Sequence, residues 1–240
     1  MDDTILNLEL QHIKDTVEFY SPYFTTVVAR DEFINQVFEF DWDERRPRRM
    51  IFQVQRFVTL ATEIDKIRPA RDELRVLFLK CCLESLTKLA GYKNAKEFFL
   101  AFEHCFSDQG KTYILNNFKL SYFEYPECGV QYEADHDLTL AEFFNVVKAT
   151  RDMVVHEGNY WEMQFFAYDE EYTWLTCIET DQKLLTSYQG AIPQQKKITY
   201  HFETTLQYDR FIFYFVEACV RLIESYMESK CLSPDQSDRH

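Results

Sequence analysis

From about Arg49 to Ile67 the apolar residues Met50, Val54, Phe57, Val58, Ala61 and Ile64 recur at intervals of three and four, which predicts a helix with one buried face. Pro69 marks its end. Over 71–90, Leu74, Leu77, Phe78, Cys81, Leu86 and Leu89 form one stripe and Val76, Leu79 and Leu83 a second. A helix with two apolar faces belongs at the centre of a bundle, and Gly91 stands where a left-handed C-terminal cap is expected. Asn94 with Glu97 three residues on is a capping-box pattern opening a short helix to about Ser107. Thr139 and Glu142 repeat that pattern, with Leu138 and Phe143 spaced as a hydrophobic staple, and open a helix that runs to about Glu157 before Gly158. A final helix to about residue 228 has Tyr208, Phe211, Phe215, Cys219, Leu222 and Tyr226 on its core stripe, with Thr204 and Gln207 as its capping pattern.

Elsewhere the pattern changes. Residues 4–20 and 31–40 read as two amphipathic helices broken by "SPY" and closed by "DWDERRP", giving an N-terminal extension over 1–48. Residues 111–136 fit neither period clearly. Between Trp161 and Glu203 the period shifts toward two: "EYTWLTCIE" and "KLLTSY" flank a "TDQ" turn, and Ile198, Tyr200 and Phe202 alternate in "KITYHFE". The expectation is a mainly α protein: a helical domain over 49–230 with a small β-hairpin insertion near 161–203, and a disordered tail over 231–240.

Composition sharpens that picture. Apolar residues make up 46% of the 240 and aromatics 17%, with only five Gly and six Pro, a profile that suits a large core rather than a disordered chain. A formal charge of −14 disfavours indiscriminate attraction to nucleic acid or anionic membrane, so any phosphate contact must be local. "MDDTILNLEL" lacks a basic region followed by an apolar one, and no window reaches the length of a membrane span; a cytoplasmic protein without membrane contact is expected. Seven cysteines, odd in number and without a C-x-x-C pair, read as reduced core residues.

Most motifs fail. "HEGNY" begins like a zinc-protease helix but has Tyr160 where the second imidazole is required, so no metal site is expected there. No Gly-rich phosphate loop, nucleophile elbow or calcium loop is present, and no cofactor is expected. His12, His104, His136 and His201 stand singly and read as surface or satisfied histidines. The basic cluster "RRPRR", with Arg49 in it and Arg56 following, is either a solvated helix entrance or a phosphate contact.

The stretch "TRDMVVHEGNYW" stands apart. On an ideal helix Leu140, Phe143, Phe144, Val147, Val154 and Val155 share an apolar face, and Arg151 falls near its middle. A permanently charged guanidinium in that position requires a carboxylate, a carbonyl cluster or a phosphate as its partner, and Glu84 on the central helix is one internal candidate. Asp152 and His156 are four apart and therefore neighbours. They form either an exposed pair near a helix C-terminus, where a cationic imidazole is favoured, or a base held in one tautomer by its supporting carboxylate.

The arrangement Arg151-Asp152-x-x-x-His156 on a late helix of a helical domain resembles the HEPN superfamily, whose signature is Arg, then a polar Asn, Asp or His, then a His four to six positions after the Arg. The resemblance covers roughly residues 50–228, and "ELRVLFLKCCLESLTKL" with its embedded Glu84 is similar to the corresponding apolar helix in several HEPN families. It implies a helical bundle and a metal-independent endoribonuclease that leaves a 2′,3′-cyclic phosphate, of the kind found in toxin–antitoxin and defence systems, with RNA or a nucleotide as ligand and an antitoxin as a further partner. It implies His156 as general acid or base, Arg151 as stabiliser of phosphate charge and Asp152 as the group that orients His156. Tyr160, Arg49 and Arg56 are candidate substrate contacts. A toxin subgroup carries Tyr two residues after the His, where this chain has Gly158.

Arg151 and His156 lie about 140° apart on a regular helix. Either the helix loosens before Gly158 or two copies of the chain build a composite site, and the resemblance implies a homodimer. The competing reading is a noncatalytic HEPN-like module that binds a nucleotide or a partner protein. A purely structural role would need a fixed internal carboxylate for Arg151.

Overall fold

The computed structural model describes residues 3–40, 43–125, 130–133, 136–156, 164–165, 174–180, 183–187 and 198–231, with the backbone alone described at 3–10, 43, 130, 133, 153–156 and 174–180. The helices are α1 (Asp3–Tyr20), α2 (Val27–Glu39), α3 (Arg46–Ile67), α4 (Asp72–Leu89), α5 (Ala95–Glu103), α6 (Asp108–Asn117), α7 (Leu140–His156) and α8 (Tyr208–Cys231). Strands β1 (Phe118–Tyr125), β2 (Val130–Glu133), β3 (Trp174–Thr180) and β4 (Ile198–Thr204) form one antiparallel sheet in the order β2-β1-β4-β3. The protein is thus mainly helical with a small sheet. No described helix is long and apolar enough to cross a membrane.

The two-faced helix is central. α4 packs between α3 and α7 and also meets α5, and no residue from Arg71 to Thr87 is exposed. Its fully buried side chains include Val76, Leu79 and Leu83 of the second stripe together with Cys82 and Leu86, while Leu74, Leu77, Phe78, Cys81 and Leu89 are only half-buried. Gly91 has the expected positive φ of 82°. The core stripe of α8 is buried throughout, from Tyr208 to Tyr226. Tyr20 of α1 is fully buried and donates its hydroxyl to the Ile51 carbonyl at 3.0 Å, and Phe33, Ile34 and Val37 of α2 join the same core cluster as α3 and α8.

The capping box expected at Thr139 is complete, while at Asn94 the N-cap bond forms and Glu97 Oε1 accepts from the Asn94 side-chain amide rather than from its backbone N–H. Asn94 Oδ1 accepts from the Glu97 N–H at 3.0 Å, and Thr139 Oγ1 accepts from the Glu142 N–H at 3.2 Å while Glu142 Oε2 accepts from the Thr139 N–H at 2.9 Å. The pattern at Thr204 and Gln207 does not cap α8. Thr204 ends β4 and uses its hydroxyl on the Leu206 N–H and the Asn117 carbonyl, while Gln207 precedes the helix. The helix expected to reach Ser107 stops at Glu103, and Ser107 instead caps α6 through the Gly110 N–H at 3.2 Å.

The sheet is larger than the expected insertion and differently paired. β1 and β2, from the stretch with no clear period, join β3 and β4, with Phe123 opposite Tyr200 and Tyr132. The partner of β3 is β4, not "KLLTSY", of which residues 183–187 are not strand. Leu184 and Leu185 are both buried although adjacent, which the alternating faces of a half-buried strand do not allow. Of the expected tail over 231–240, Cys231 is the last residue of α8, and 232–240 lie outside the described residues.

Glu142 locks the start of α7. Fully buried, it accepts from the Ser187 N–H at 2.7 Å and the Ser187 hydroxyl at 2.8 Å, and lies 3.0 Å from His136 Nε2. Burial opposes its ionisation, but hydrogen bonds from Thr139, Ser187 and His136 outweigh it and hold the carboxyl below the ordinary glutamate value. A depressed folded-state value gives stability that is complete above the ordinary carboxylate range and is lost as pH falls through the folded value. The melting temperature should therefore drop on acidification, and Glu142→Gln should show a smaller drop from neutral to acid pH. An unchanged pH dependence in that variant would place the acid sensitivity elsewhere.

Candidate active site

α7 is apolar for three turns and polar at its end. Phe143, Phe144, Val146, Val147 and Ala149 are buried, and Phe144 sits among the rings of Phe99, Phe102, Phe106 and Phe143 at centroid distances of 5.5, 5.5, 5.8 and 5.5 Å. This aromatic anchor fixes the helix against α5. Thr150, fully buried, turns its hydroxyl back to the Val146 carbonyl at 3.0 Å, which satisfies that hydroxyl where the apolar face ends.

Arg151 emerges next, on the side that faces α4, and its side chain is 25% exposed. Nη1 donates to Asp152 Oδ1 at 2.7 Å, and Nη2 lies 3.6 Å from Glu84 Oε1, an ion-pair distance beyond hydrogen-bond reach. Nε is shut off from solvent and has no hydrogen-bond partner among the described residues. The hydrogen bond to Asp152 raises the Arg151 pKa; burial opposes this, and Glu84 adds to the rise. Glu84, the internal candidate named from sequence, is therefore one of two carboxylates beside the guanidinium.

Lys80 completes the cluster. Its side chain is only 3% exposed, and Nζ donates to the same Glu84 Oε1 at 3.1 Å. The ammonium lies 5.8 Å from the centre of the Phe99 ring, which carries it on the aromatic layer under α7. Burial lowers the Lys80 pKa, the Glu84 contact works against that, and Arg151 nearby lowers it further. Cys81 is no activated thiol, because burial pushes its pKa up and Glu84 pushes the same way, against the weaker pull of Arg151 and Lys80.

His156 is the last residue of α7, five beyond Arg151; its side chain and Tyr160 lie outside the described residues. At about 1.5 Å per residue its backbone stands roughly 7.5 Å further along the axis. Asp152, expected to orient His156, holds Arg151 through Oδ1. Arg49 and Arg56 are placed elsewhere, on α3, with α4 between that helix and α7. Arg49 is exposed and 3.7 Å from Glu44, while Arg56 lines a shallow groove of about 480 Å³ with His12, Phe52 and Gln55. Of the other basic residues there, Arg48 donates to the Phe38 carbonyl and stacks over the Phe38 ring.

Two isolated histidines prove satisfied. His136 bonds to Glu142, and His201 lies 3.2 Å from Glu124 and stacks on Tyr122 at 4.0 Å. Sequence reasoning missed Lys80, although the signal was present. The residue follows Leu79 and precedes Leu83 on the buried stripe, and it stands four before Glu84, the same contradiction of charge and apolar face that singled out Arg151.

No family model, curated protein or solved structure matches the chain.

Proposed function

We propose that the protein is a metal-independent endoribonuclease of HEPN type, acting on RNA and belonging with the toxin–antitoxin or defence enzymes that the sequence resemblance implies. The observation that carries this reading is Arg151: a guanidinium oriented by Asp152, partly exposed, on the final turns of the helix that ends at His156. Arginine offers two parallel donors to phosphate oxygens and holds them more strongly as charge builds in the transition state.

In the proposed step the ribose 2′-oxygen attacks the adjacent phosphorus, a base removes the 2′-hydroxyl proton, and the departing 5′-oxygen receives a proton from an acid. The products are a 2′,3′-cyclic phosphate and a 5′-hydroxyl. Imidazole titrates near neutrality and serves in either role, but one ring cannot be base and acid in a single concerted step. Two copies of His156 across a two-fold axis supply both and meet the angular separation of Arg151 and His156. A homodimer of about twice the 28.9 kDa chain mass is expected in sedimentation at micromolar concentration. A strictly monomeric species that cleaves RNA contradicts the composite site.

A second reading, a noncatalytic module or a structural tie between α4 and α7, is favoured by the pairing of Arg151 with Glu84 and by the net charge of −14. Arginine variants separate the two. Arg151→Lys keeps the charge and loses the fork, so RNA cleavage should fall nearly as far as in Arg151→Ala, with little change in melting temperature. If Arg151→Ala instead lowers the melting temperature by many degrees while Arg151→Lys retains activity, the guanidinium is a structural ion-pair member.

A further inference from the structure

Two cations converge on one carboxylate oxygen. Lys80 Nζ and Arg151 Nη2 lie 3.1 and 3.6 Å from Glu84 Oε1, one from α4 and one from α7. A buried ammonium demands an anion beside it, so the position of that oxygen is an anion position whichever group fills it. Glu84 is the mobile choice: it is 38% exposed and reaches the spot on a long side chain that has solvent as its alternative, whereas Asp152 is short and holds Nη1 at 2.7 Å. Nη2 of the guanidinium is paired with Glu84 by charge but not by a hydrogen bond, since 3.6 Å is too long.

We propose that Lys80 and Arg151 form a two-cation phosphate site for which Glu84 is the internal, displaceable anion. A phosphodiester has two unbridged oxygens and can give one to Nζ and one to Nη2, where Glu84 serves both cations with Oε1 alone. Displacement changes the local balance from two cations with two carboxylates to two cations with Asp152 alone, which draws phosphate to this point on an acidic chain. Lys80 is then a substrate-binding residue and Glu84 a competitor that weak anions do not displace. The inference rests on the endoribonuclease reading for its ligand, an RNA phosphodiester, though free phosphate shares the chemistry.

The test measures binding without cleavage. A fluorescein-labelled, fully 2′-O-methylated RNA oligonucleotide, which lacks the attacking hydroxyl, is titrated into the full-length protein, with inorganic phosphate as competitor. Glu84→Gln keeps an oxygen for Lys80 and removes the competing charge, so the oligonucleotide should bind about tenfold tighter, the order of one charge contact near a protein surface. Lys80→Met should weaken binding and reduce the slope of log affinity against log salt by about 0.7, as for one lost contact to a single strand. Binding of inorganic phosphate alone, strengthened in Glu84→Gln, assigns the same site to free phosphate. If Lys80→Met does not fold, Glu84→Gln decides by itself. A folded Glu84→Gln protein that binds neither probe more tightly than wild type overturns the proposal, even where His156-dependent cleavage stands. Tighter binding in a protein that cleaves no RNA keeps the site and removes the nuclease.

Discussion

Replacing Phe144 by Ala should lower stability by about 3–5 kcal/mol, the range for deleting a buried aromatic ring. Phe144 is fully buried on the core face of α7 and lies within ring-contact distance of four other phenylalanines from α5, its own helix and Phe106. Its removal leaves a cavity that the neighbours cannot close, because Phe102 is itself pinned by Phe98, Phe106 and Phe215. The cluster holds α7, the helix carrying Arg151, against α5. Denaturant unfolding should show a lower midpoint, and RNA cleavage should fall with it even where the variant remains folded. A variant as stable as wild type would mean that the ring is not the anchor described here.

The second large effect is chemical. His156→Ala should reduce RNA cleavage by roughly 10² to 10⁴, typical of a lost general acid or base, without lowering the melting temperature. The effect should lie in kcat more than in KM, because the phosphate contacts proposed for Arg151 and Lys80 remain. Equal cleavage by the variant and wild type would remove His156 from the reaction.

Local patterning made the helical framework legible. The stripes of α3, α4 and α8, the left-handed Gly91 and the caps at Asn94 and Thr139 each depend on residues within a few positions of one another. Three-and-four spacing gives a helix its buried face whatever the rest of the chain does. The sheet was less legible because its pairings are made across distance. β1 meets β4 about eighty residues later in the register Phe118 to Thr204, and nothing in either strand encodes that partner. "KLLTSY" looks like a strand by composition, yet the Leu184 carbonyl is taken by the Asn145 side chain at 3.2 Å and Ser187 by Glu142, so this stretch is bound to α7 as a loop.

The candidate site was half legible. Arg151 on an apolar face required a partner, and Glu84 was nameable from the same reasoning on α4. Asp152 was expected to serve His156, whose side chain lies outside the described residues; its hydrogen bond to Arg151 is a contact between adjacent residues that helical spacing rules do not anticipate. Arg49 and Arg56 carried the charge expected of phosphate contacts, but α3 sits on the far side of α4, and sequence proximity to a basic cluster does not set distance from α7.

The proposed reaction is cleavage of RNA by the protein's own side chains, without a metal ion. Incubation of the purified wild-type protein with end-labelled RNA in excess EDTA, beside the His156→Ala variant, tests it most directly. Wild type should cleave in the chelator to products ending in 2′,3′-cyclic phosphate and 5′-hydroxyl, with near-silence from the variant. Cleavage abolished by EDTA and restored by magnesium, or no cleavage by either protein, would contradict it.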